Sequence, residues 1–267
     1  METILEQIVH RKRRRLFGGT YSPVQVADLI ARAKDRRKEF LRALAGRPGP
    51  NVIAEIKAAS PSRGTIMPSL SLPVVARTIE GYERCGASAI SVVTEEEFFG
   101  GSPVLLSQVL QSTDLPVLRK DFVIEETQIF ETAFLGASAL LLIARIVSWK
   151  RLEHFIDLCE LVGIAPLVEV HDRRDLDKAL EAGAFLVGIN NRNLATLQVS
   201  IEHTLALLPA IPPGISVVSE SGFRQPTDIR RVMAAGVVNF LIGETLLLSE
   251  EPGKTLKELK EVSLCPS

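Results

Sequence analysis

Eight short, nearly continuous apolar runs recur along this chain of 267 residues, and a segment of helical periodicity follows each of them. The runs are predicted strands, and their uninterrupted apolar character is typical of parallel strands covered on both faces. They span residues 51–57, 87–94, 115–122, 137–144, 165–171, 185–191, 215–221 and 237–243. The chain is therefore predicted to build a parallel sheet with helices packed around it.

Strand followed by helix, repeated eight times, predicts an α/β fold of the (β/α)8 TIM barrel class. Helical segments such as 148–162 and 172–182 begin with Ser or Asp, as a helix start requires. Glycines stand directly before strands two, four, six and eight, where we expect a helix to end in a left-handed residue. These glycines are Gly86, Gly136, Gly183 and Gly236.

The chain length fits one barrel with an extension, since such barrels occupy about 250 residues as a single domain. Residues 51–267 are predicted to form the barrel, and residues 1–50 a helical extension packed on it. In the extension we predict helices over 3–16 and 23–45, followed by the breaker cluster at 46–50. The loop at 58–72 is long and rich in Ser, Pro and Gly, which favours a mobile lid.

Charge and cysteine content narrow the possible partners. The 31 basic and 32 acidic residues nearly cancel, and the longest apolar stretch, 137–144, is far too short for a membrane span, so neither nucleic acid nor a membrane is the expected partner. The three cysteines are widely spaced, which indicates a reducing compartment and no metal site. The amino terminus lacks the pattern of a secretory signal. We expect a cytoplasmic protein, and a monomer.

Charged residues at the carboxyl ends of the runs are the candidate catalytic groups. Glu55 and Lys57 are two apart on one predicted strand, so both side chains point to the same face. Lys120 and Glu169 add a second amine and a second carboxylate from other strands at the same end. We expect the two lysines to face one pocket, so that each lowers the pKa of the other. A structural ion pair is the alternative for Glu55 and Lys57.

The last two strands end in a pattern that suits phosphate. Ser221 and Gly222 follow strand seven, and Gly243 and Glu244 open a short helix after strand eight. Many barrels hold phosphate on backbone N–H groups at this position. Ordinary turn glycines are the alternative interpretation.

Further polar and aromatic residues near the strand ends are candidates for substrate binding. Asn190 and Arg192 suit hydroxyl and carboxylate recognition, and Ser60 could offer its hydroxyl to an anion. Phe99 and Phe122 could line the site of an aromatic group. Structural turns remain the alternative for the polar residues. Outside this set, Asp121 and His171 are interpreted as structural.

Six ordered motifs resemble those of the indole-3-glycerol phosphate synthase family. They are IAEIKAASPSRG (53–64), LRKDF (118–122), LVEVH (167–171), GINNRNL (188–194), VSESG (218–222) and LIGE (241–244). The resemblance spans all eight strands and includes the extension of about fifty residues ahead of them. One departure is Glu244, where family members often carry Ser, so we expect Glu244 to contribute its backbone rather than a hydroxyl.

The resemblance implies an enzyme that converts 1-(2-carboxyphenylamino)-1-deoxyribulose 5-phosphate to indole-3-glycerol phosphate with loss of carbon dioxide and water, without a cofactor. By motif position, Lys120 would be the general acid of ring closure, and Glu169 would hold it in place and move protons. Lys57 would neutralise the substrate carboxylate and serve as an acid in the dehydration, with Glu55 as its partner or as base. Three alternatives stay open: the preceding isomerase of the same pathway, phosphoribosylanthranilate isomerase; a Schiff-base aldolase; and a non-catalytic sensor of a phosphate ligand.

Overall fold

Eight parallel strands close into a barrel, as predicted. A computed structural model describes residues 3–16, 27–28, 30–31, 34–45, 49–193 and 196–262. Each strand pairs in parallel with its neighbours along the chain, and the last strand pairs with the first. The strands are β1 Asn51–Ile56, β2 Ala89–Val93, β3 Val117–Lys120, β4 Ala139–Ile143, β5 Ala165–Val170, β6 Leu186–Asn190, β7 Ser216–Glu220 and β8 Asn239–Ile242. The predicted α/β class and the (β/α)8 architecture are confirmed.

Helices connect successive strands and cover the outside of the barrel. The described helices are α1 Ile4–Leu16, α2 Arg37–Ala45, α3 Leu72–Arg84, α4 Pro103–Leu110, α5 Glu126–Leu135, α6 Trp149–Leu161, α7 Arg173–Glu181, α8 Glu202–Leu207, α9 Pro226–Ala234, α10 Glu244–Leu247 and α11 Pro252–Lys260. Ser148 and Asp172 cap α6 and α7 by accepting backbone N–H groups, so both predicted helix starts are confirmed. In the described part of the chain, no helix has the length and apolar character needed to cross a bilayer.

The four glycines predicted to precede the even-numbered strands are left-handed, with φ between 80° and 97°. At Gly136, for example, φ is 97° directly after α5, a conformation that costs a residue with a Cβ more than it costs glycine. The backbone can therefore leave the helix and enter β4 within a few residues. The alternating glycine pattern is confirmed as a helix-ending signal.

The barrel holds its own core, separate from the shell between strands and helices. Ile53, Leu118, Leu167 and Leu241 belong to this inner cluster and are buried. Two further clusters fill the space between the sheet and the helices. Burying a side chain of this size stabilises a fold by about 1.5–3 kcal/mol, so the strands are rigid supports for the residues at their ends.

The two described helices of the amino-terminal region contact opposite ends of the barrel. At the floor, Phe40 of α2 joins the inner core, and the carbonyl of Leu44 accepts a hydrogen bond from Asn51 at the start of β1. At the mouth, Lys12 of α1 pairs with Asp121, which follows β3. Residues 1–50 thus cap both ends where described, while their separation as an extension stays a prediction.

The prediction of one helix over 23–45 is wrong at residues 34–36, which are not helical. The backbone N–H groups of Arg36 and Arg37 both donate to the carbonyl of Gly163, just ahead of β5, at 2.9 and 2.8 Å. This contact with the barrel floor competes with helical hydrogen bonding and lets α2 begin only at Arg37. Residues 17–26, 29, 32–33 and 46–48, which include part of the predicted helix and of the breaker cluster, lie outside the described residues.

Candidate active site

One pocket opens at the carboxyl ends of the strands, and every residue of the predicted site lines it. Its empty volume is about 1270 Å³, a figure that includes space open to solvent. The residues are Glu55, Lys57, Ser60, Phe99, Lys120, Phe122, Glu169, Asn190, Arg192, Ser221, Gly222, Gly243 and Glu244. The structure therefore brings all of the sequence-predicted residues to one mouth.

Lys120, the last residue of β3, points into a cluster of buried carboxylates. Its Nζ lies 2.5 Å from Oε2 of Glu220 and 3.3 Å from Oε2 of Glu169. These contacts join β3 to β5 and β7 across the barrel, so each charged group is supported by a different rigid strand. An ammonium group held this way is a proton donor with a fixed position.

Glu220 is a member of this cluster that the sequence reasoning missed. It ends β7, its side chain has no exposed surface, and its second oxygen, Oε1, makes no hydrogen bond to any described residue. A signal for it lies in β6, since a Cβ on Gly188 would come within 2.2 Å of Glu220 Oε1. Glycine in the middle of a strand often marks such a close approach, and here it makes space for a carboxylate.

The charge cluster overturns one expectation about Lys120. Burial favours the neutral amine, but the carboxylates of Glu220, Glu169 and Glu55 outweigh burial and raise the pKa of Lys120 above its usual value. The expected lowering of its pKa by Lys57 is therefore wrong. Lys57 Nζ is instead paired with Glu55 Oε1 at 2.5 Å. The amine of Lys120 is therefore protonated at neutral pH, and its pKa does not lie near neutrality.

The three glutamates differ in their protonation. Burial opposes the charge of Glu55, but Lys57 and Lys120 hold its pKa below the usual range. Burial likewise opposes the charge of Glu169, and there Lys120 and His171 hold the pKa below the usual range. For Glu220, burial raises the pKa to about 7, and the Glu169 charge adds to this effect although Lys120 opposes it. Glu220 is thus the carboxyl group of the cluster that titrates near neutral pH.

Glu55 and Lys57 form the second charged pair of the mouth. Glu55 is buried within β1, and Lys57 lies just beyond the strand. A Cβ on Gly243, at the end of β8, would approach Glu55 Oε1 to 2.2 Å, so this glycine again leaves space for a carboxylate. The pair faces the same pocket as Lys120 and Glu169, which places two amines and two carboxylates of the cluster around one opening, while Glu220 contacts Lys120 without lining the pocket.

An aromatic and aliphatic wall covers part of the mouth. The rings of Phe99 and Phe122 lie 6.0 Å apart with a tilt of 37°, and Ile4 and Ile8 of α1 line the same pocket. Rings at this distance are in contact, and together they present an apolar surface against which a further aromatic ring can pack. Phe98, the neighbour of Phe99, instead packs under the guanidinium of Arg11, 5.2 Å from its ring centre.

The segment after β7, which is predicted to bind phosphate, has an uncommon backbone conformation. Ser221 is left-handed with φ 69°, an uncommon conformation for a residue other than glycine, and Gly222 follows with φ 92°. The Asn191 amide holds the Ser221 carbonyl at 3.0 Å. Strain of this kind persists where surrounding contacts enforce it, and it is common at ligand sites.

Glu244 closes this end of the mouth with its side chain, which was expected to take no part. Its Oε1 accepts from Nε of Arg63 at 3.0 Å, and its Oε2 accepts from Nη2 of Arg192 at 3.2 Å. Arg192 also donates to Ser62 at 3.2 Å, and Ser62 lies 3.4 Å from Ser60. The carboxylate therefore ties the loop after β1 to the segment after β6, beside the predicted phosphate seat.

We expect Glu244→Gln to lower the KM for a phosphorylated substrate by about 5-fold and to leave kcat within about 2-fold, since the carboxylate and the substrate phosphate carry like charges and repel each other. Removing the carboxylate frees Arg63 and Arg192 for the phosphate. Steady-state kinetics and inhibition by inorganic phosphate measure both effects. Glu251→Gln, in an exposed pair with Lys254, is the matched control. A higher KM would show that the tie is needed for binding.

Within the described residues, no group of three or more His, Cys, Asp or Glu side chains is arranged to hold a metal ion. Cys85 and Cys159 are free thiols, and Cys265 lies outside the described residues. The polar groups that converge at the mouth are amines, carboxylates, a guanidinium and an amide, which suit acid–base chemistry. Asn190 contributes the amide, and its Oδ1 accepts the backbone N–H of Arg192 at 3.0 Å.

Comparison with known proteins decides among the barrels that could carry such a mouth. A family model described as indole-3-glycerol phosphate synthase matches residues 5–259. The chain belongs to the indole-3-glycerol phosphate synthase family. It is 43% identical to the indole-3-glycerol phosphate synthase of Syntrophobacter fumaroxidans, covering 97% of this chain and 96% of the relative. It is 40% identical to that of Desulfotalea psychrophila, covering 97% and 99%.

Solved structures support the fold of this synthase family member independently. A thiamine phosphate pyrophosphorylase from Pyrococcus furiosus matches with a TM-score of 0.57 at 15% identity, over 79% of this chain and 94% of that one. At such low identity the match concerns the barrel alone. The family assignment, in contrast, does not favour the isomerase, aldolase and sensor alternatives.

Proposed function

We propose that this chain closes the indole ring of 1-(2-carboxyphenylamino)-1-deoxyribulose 5-phosphate, releasing carbon dioxide and water to form indole-3-glycerol phosphate. Membership of the synthase family makes it a decarboxylating lyase of tryptophan biosynthesis. The observation that carries the residue assignments is the contact of Lys120 with Glu169 and Glu220 at the mouth, opposite the paired Glu55 and Lys57.

Lys120 is the general acid of ring closure in this proposal. The ring carbon that bears the carboxylate attacks the ribulose carbonyl, a carbon–carbon bond forms, and the carbonyl oxygen takes a proton from Nζ of Lys120. Because the developing alkoxide is strongly basic, an ammonium with a raised pKa can still protonate it. Glu169 and Glu220 hold the ammonium in place, and Glu169 moves protons to and from it.

Lys57 and Glu55 serve the later steps. The ammonium of Lys57 pairs with the substrate carboxylate before carbon dioxide leaves, which restores the aromatic ring. Lys57 then protonates the departing hydroxyl, and a carboxylate removes the proton that completes the indole double bond. Glu55, whose lowered pKa keeps it ionised, is suited to act as the partner of Lys57 or as this base.

Binding follows the chemistry of the walls. Phe99 and Phe122 take the carboxyphenyl ring, and Asn190, Arg192 and Ser60 orient the polar chain. The phosphate sits on the backbone of Ser221, Gly222, Gly243 and Glu244. Left-handed backbone at Ser221 and Gly222 supports a phosphate contact through Gly222, because backbone N–H groups in turns form anion-binding concavities, whereas the Ser221 N–H donates to the Leu241 carbonyl at 3.3 Å.

We also place the enzyme in the cytoplasm as a monomer that needs no cofactor and binds neither nucleic acid nor membrane. The nearly balanced charge of 31 basic and 32 acidic residues supports the absence of a polyanionic partner. Free thiols at Cys85 and Cys159 support a reducing compartment. Residues 1–50 act as an extension of the barrel that covers its mouth through α1.

Incubation with the carboxyphenylamino sugar phosphate tests the reaction. We expect indole fluorescence to appear together with one carbon dioxide per product molecule, because ring closure and decarboxylation are coupled in the proposed sequence. Borohydride added during turnover should leave the protein mass unchanged, since no lysine forms a Schiff base. A reduced lysine adduct, or fluorescence without carbon dioxide release, would contradict the proposal.

A further inference from the structure

His171 is a buried titratable residue next to the catalytic cluster that no proposed step uses. It directly follows β5, and its side chain is 4% exposed. Its Nε2 lies 3.3 Å from Oε1 of Glu169, and its Nδ1 lies 3.7 Å from Oδ2 of Asp175. Neither ring nitrogen makes a well-aligned hydrogen bond with any residue that the structure describes. The imidazole therefore lies between two carboxylates.

A neutral imidazole has one N–H and can donate to only one of them. Asp175 Oδ2 already accepts the backbone N–H of His171 at 3.1 Å and the Nε of Arg145 at 2.8 Å. It is also the more distant of the two oxygens. The ring proton is therefore favoured on Nε2, where it faces Glu169.

We propose that His171 is a positioning residue for Glu169, to which it donates its Nε2–H, and that it thereby keeps the other carboxylate oxygen directed at Lys120. The two oxygens of Glu169 have different partners: Oε1 is near His171, and Oε2 is 3.3 Å from Lys120 Nζ. Holding both oxygens fixes the rotation of the carboxylate, which sets the direction of any proton transfer. This inference rests on the proposed role of Glu169.

A brace behind the ring supports the arrangement. Arg145, in the 3₁₀ turn after β4, contacts both Asp172 and Asp175, at 2.6 and 2.7 Å. Asp175 belongs to the first turn of α7, and Asp172 caps that helix. The brace holds the Nδ1 side of His171 in place, so the ring has little freedom to turn away from Glu169.

The groups around Glu169 also determine how the loss of His171 would change the pKa of Glu169. Lys120 from β3 and His171 from β5 favour the ionised form of Glu169, the amide of Asn190 from β6 hydrogen bonds to it, and burial opposes that form. Glu220 from β7 and Glu55 from β1 are the other carboxylates of the cluster. Removing the ring therefore raises the pKa of Glu169.

The test compares His171→Ala with His171→Gln. Ala removes the donor, and we expect kcat to fall by about 10- to 100-fold with little change in KM, as for loss of one hydrogen bond to a charged group. Gln restores a side-chain N–H and should recover most of kcat. In His171→Ala the acid limb of the kcat–pH profile should move to higher pH, because the ionised form of Glu169 loses a hydrogen-bond donor, and in His171→Gln it should return most of the way. Indole fluorescence across the acid and neutral range measures both quantities.

His154→Ala is the matched control, because its ring pairs with Glu126 at 3.0 Å on the outer face and is half exposed. It should leave kcat and the profile unchanged. A His171→Ala variant with wild-type kcat and an unmoved acid limb overturns the inference. So does a folded His171→Gln variant that is as slow as Ala. Glu169→Gln tests the role of Glu169 separately from the role of His171, since a wild-type kcat in that variant would refute the role of Glu169 itself.

Discussion

Lys120→Ala is expected to lower kcat by about 10²- to 10⁴-fold while KM changes by only a few-fold, because a proton donor acts mainly in the transition state. The amine lies 2.5 Å from Glu220 and 3.3 Å from Glu169, so its position at the centre of the mouth is fixed. Single-turnover indole fluorescence measures the chemical step directly, and substrate binding can be followed separately by titration.

The variant also removes the cation from two buried carboxylates, and breaking such a pair can cost about 3–5 kcal/mol of stability. Circular dichroism should therefore accompany the kinetics. Lys120→Arg keeps a positive charge but is a weaker acid, so it should fold well and remain slow. A Lys178→Ala control loses two bonds of 2.9 Å, to the carbonyls of Ala144 and Val147, and should retain full kcat. A drop of only a few-fold for Lys120→Ala would remove it from the general-acid role.

The barrel was predictable because parallel strands covered on both faces leave long apolar runs. Each observed strand lies inside its predicted run, and each is shorter than that run by one or two residues at one or both ends. Ala87 and Ala137 show why: both are buried, yet both precede the paired segments of β2 and β4. Apolar character reports burial, whereas a strand boundary depends on hydrogen bonds to a neighbour that the sequence does not identify.

Part of the site was also predictable from the apolar runs. Polar residues that close an apolar run must lie at the barrel mouth, so Lys57, Lys120 and Glu169 could be placed from their positions alone. Glu220 was given no role because, at the end of strand seven, only the following Ser221 and Gly222 were interpreted, as a phosphate site. Its partner in space, Gly188, lies on another strand, and only the three-dimensional structure brings the two together.

The direction of the Lys120 pKa could not be predicted because it depends on a balance of neighbours. The sequence indicated a second amine, Lys57, at the same mouth, and a like charge would lower the pKa. In the structure, Lys57 forms an ion pair with Glu55, while Lys120 forms ion pairs with Glu220 and Glu169. Glu220, which the sequence analysis did not assign to the site, is one of the carboxylates that raise the pKa of Lys120 instead of letting it fall.

Glu220→Gln is expected to lower kcat/KM at alkaline pH by about 10²-fold, the size typical of a positioned acid–base group, and to remove a titration near pH 7. Burial raises the pKa of Glu220 to about 7, so the carboxyl is protonated below that pH and ionised above it. Only the ionised form accepts the 2.5 Å hydrogen bond from Lys120 without a competing proton. The kcat/KM of the wild-type enzyme should therefore rise as pH increases through about 7, since kcat/KM reports the pKa values of the free enzyme.

Glutamine has the shape of the protonated acid and cannot ionise, so the kcat/KM of the variant should not rise as pH increases through about 7. The substrate phosphate also titrates, with a second pKa near 6, and that limb should remain in both enzymes. Glu202→Gln, in an exposed pair with Arg231, is the control glutamate and should reproduce the wild-type profile. If the limb near pH 7 persists in Glu220→Gln, another group causes it, and Glu220 then serves only to neutralise Lys120. If the limb near pH 7 disappears and kcat/KM at alkaline pH falls as well, the buried carboxylate of Glu220 controls the proton that Lys120 donates.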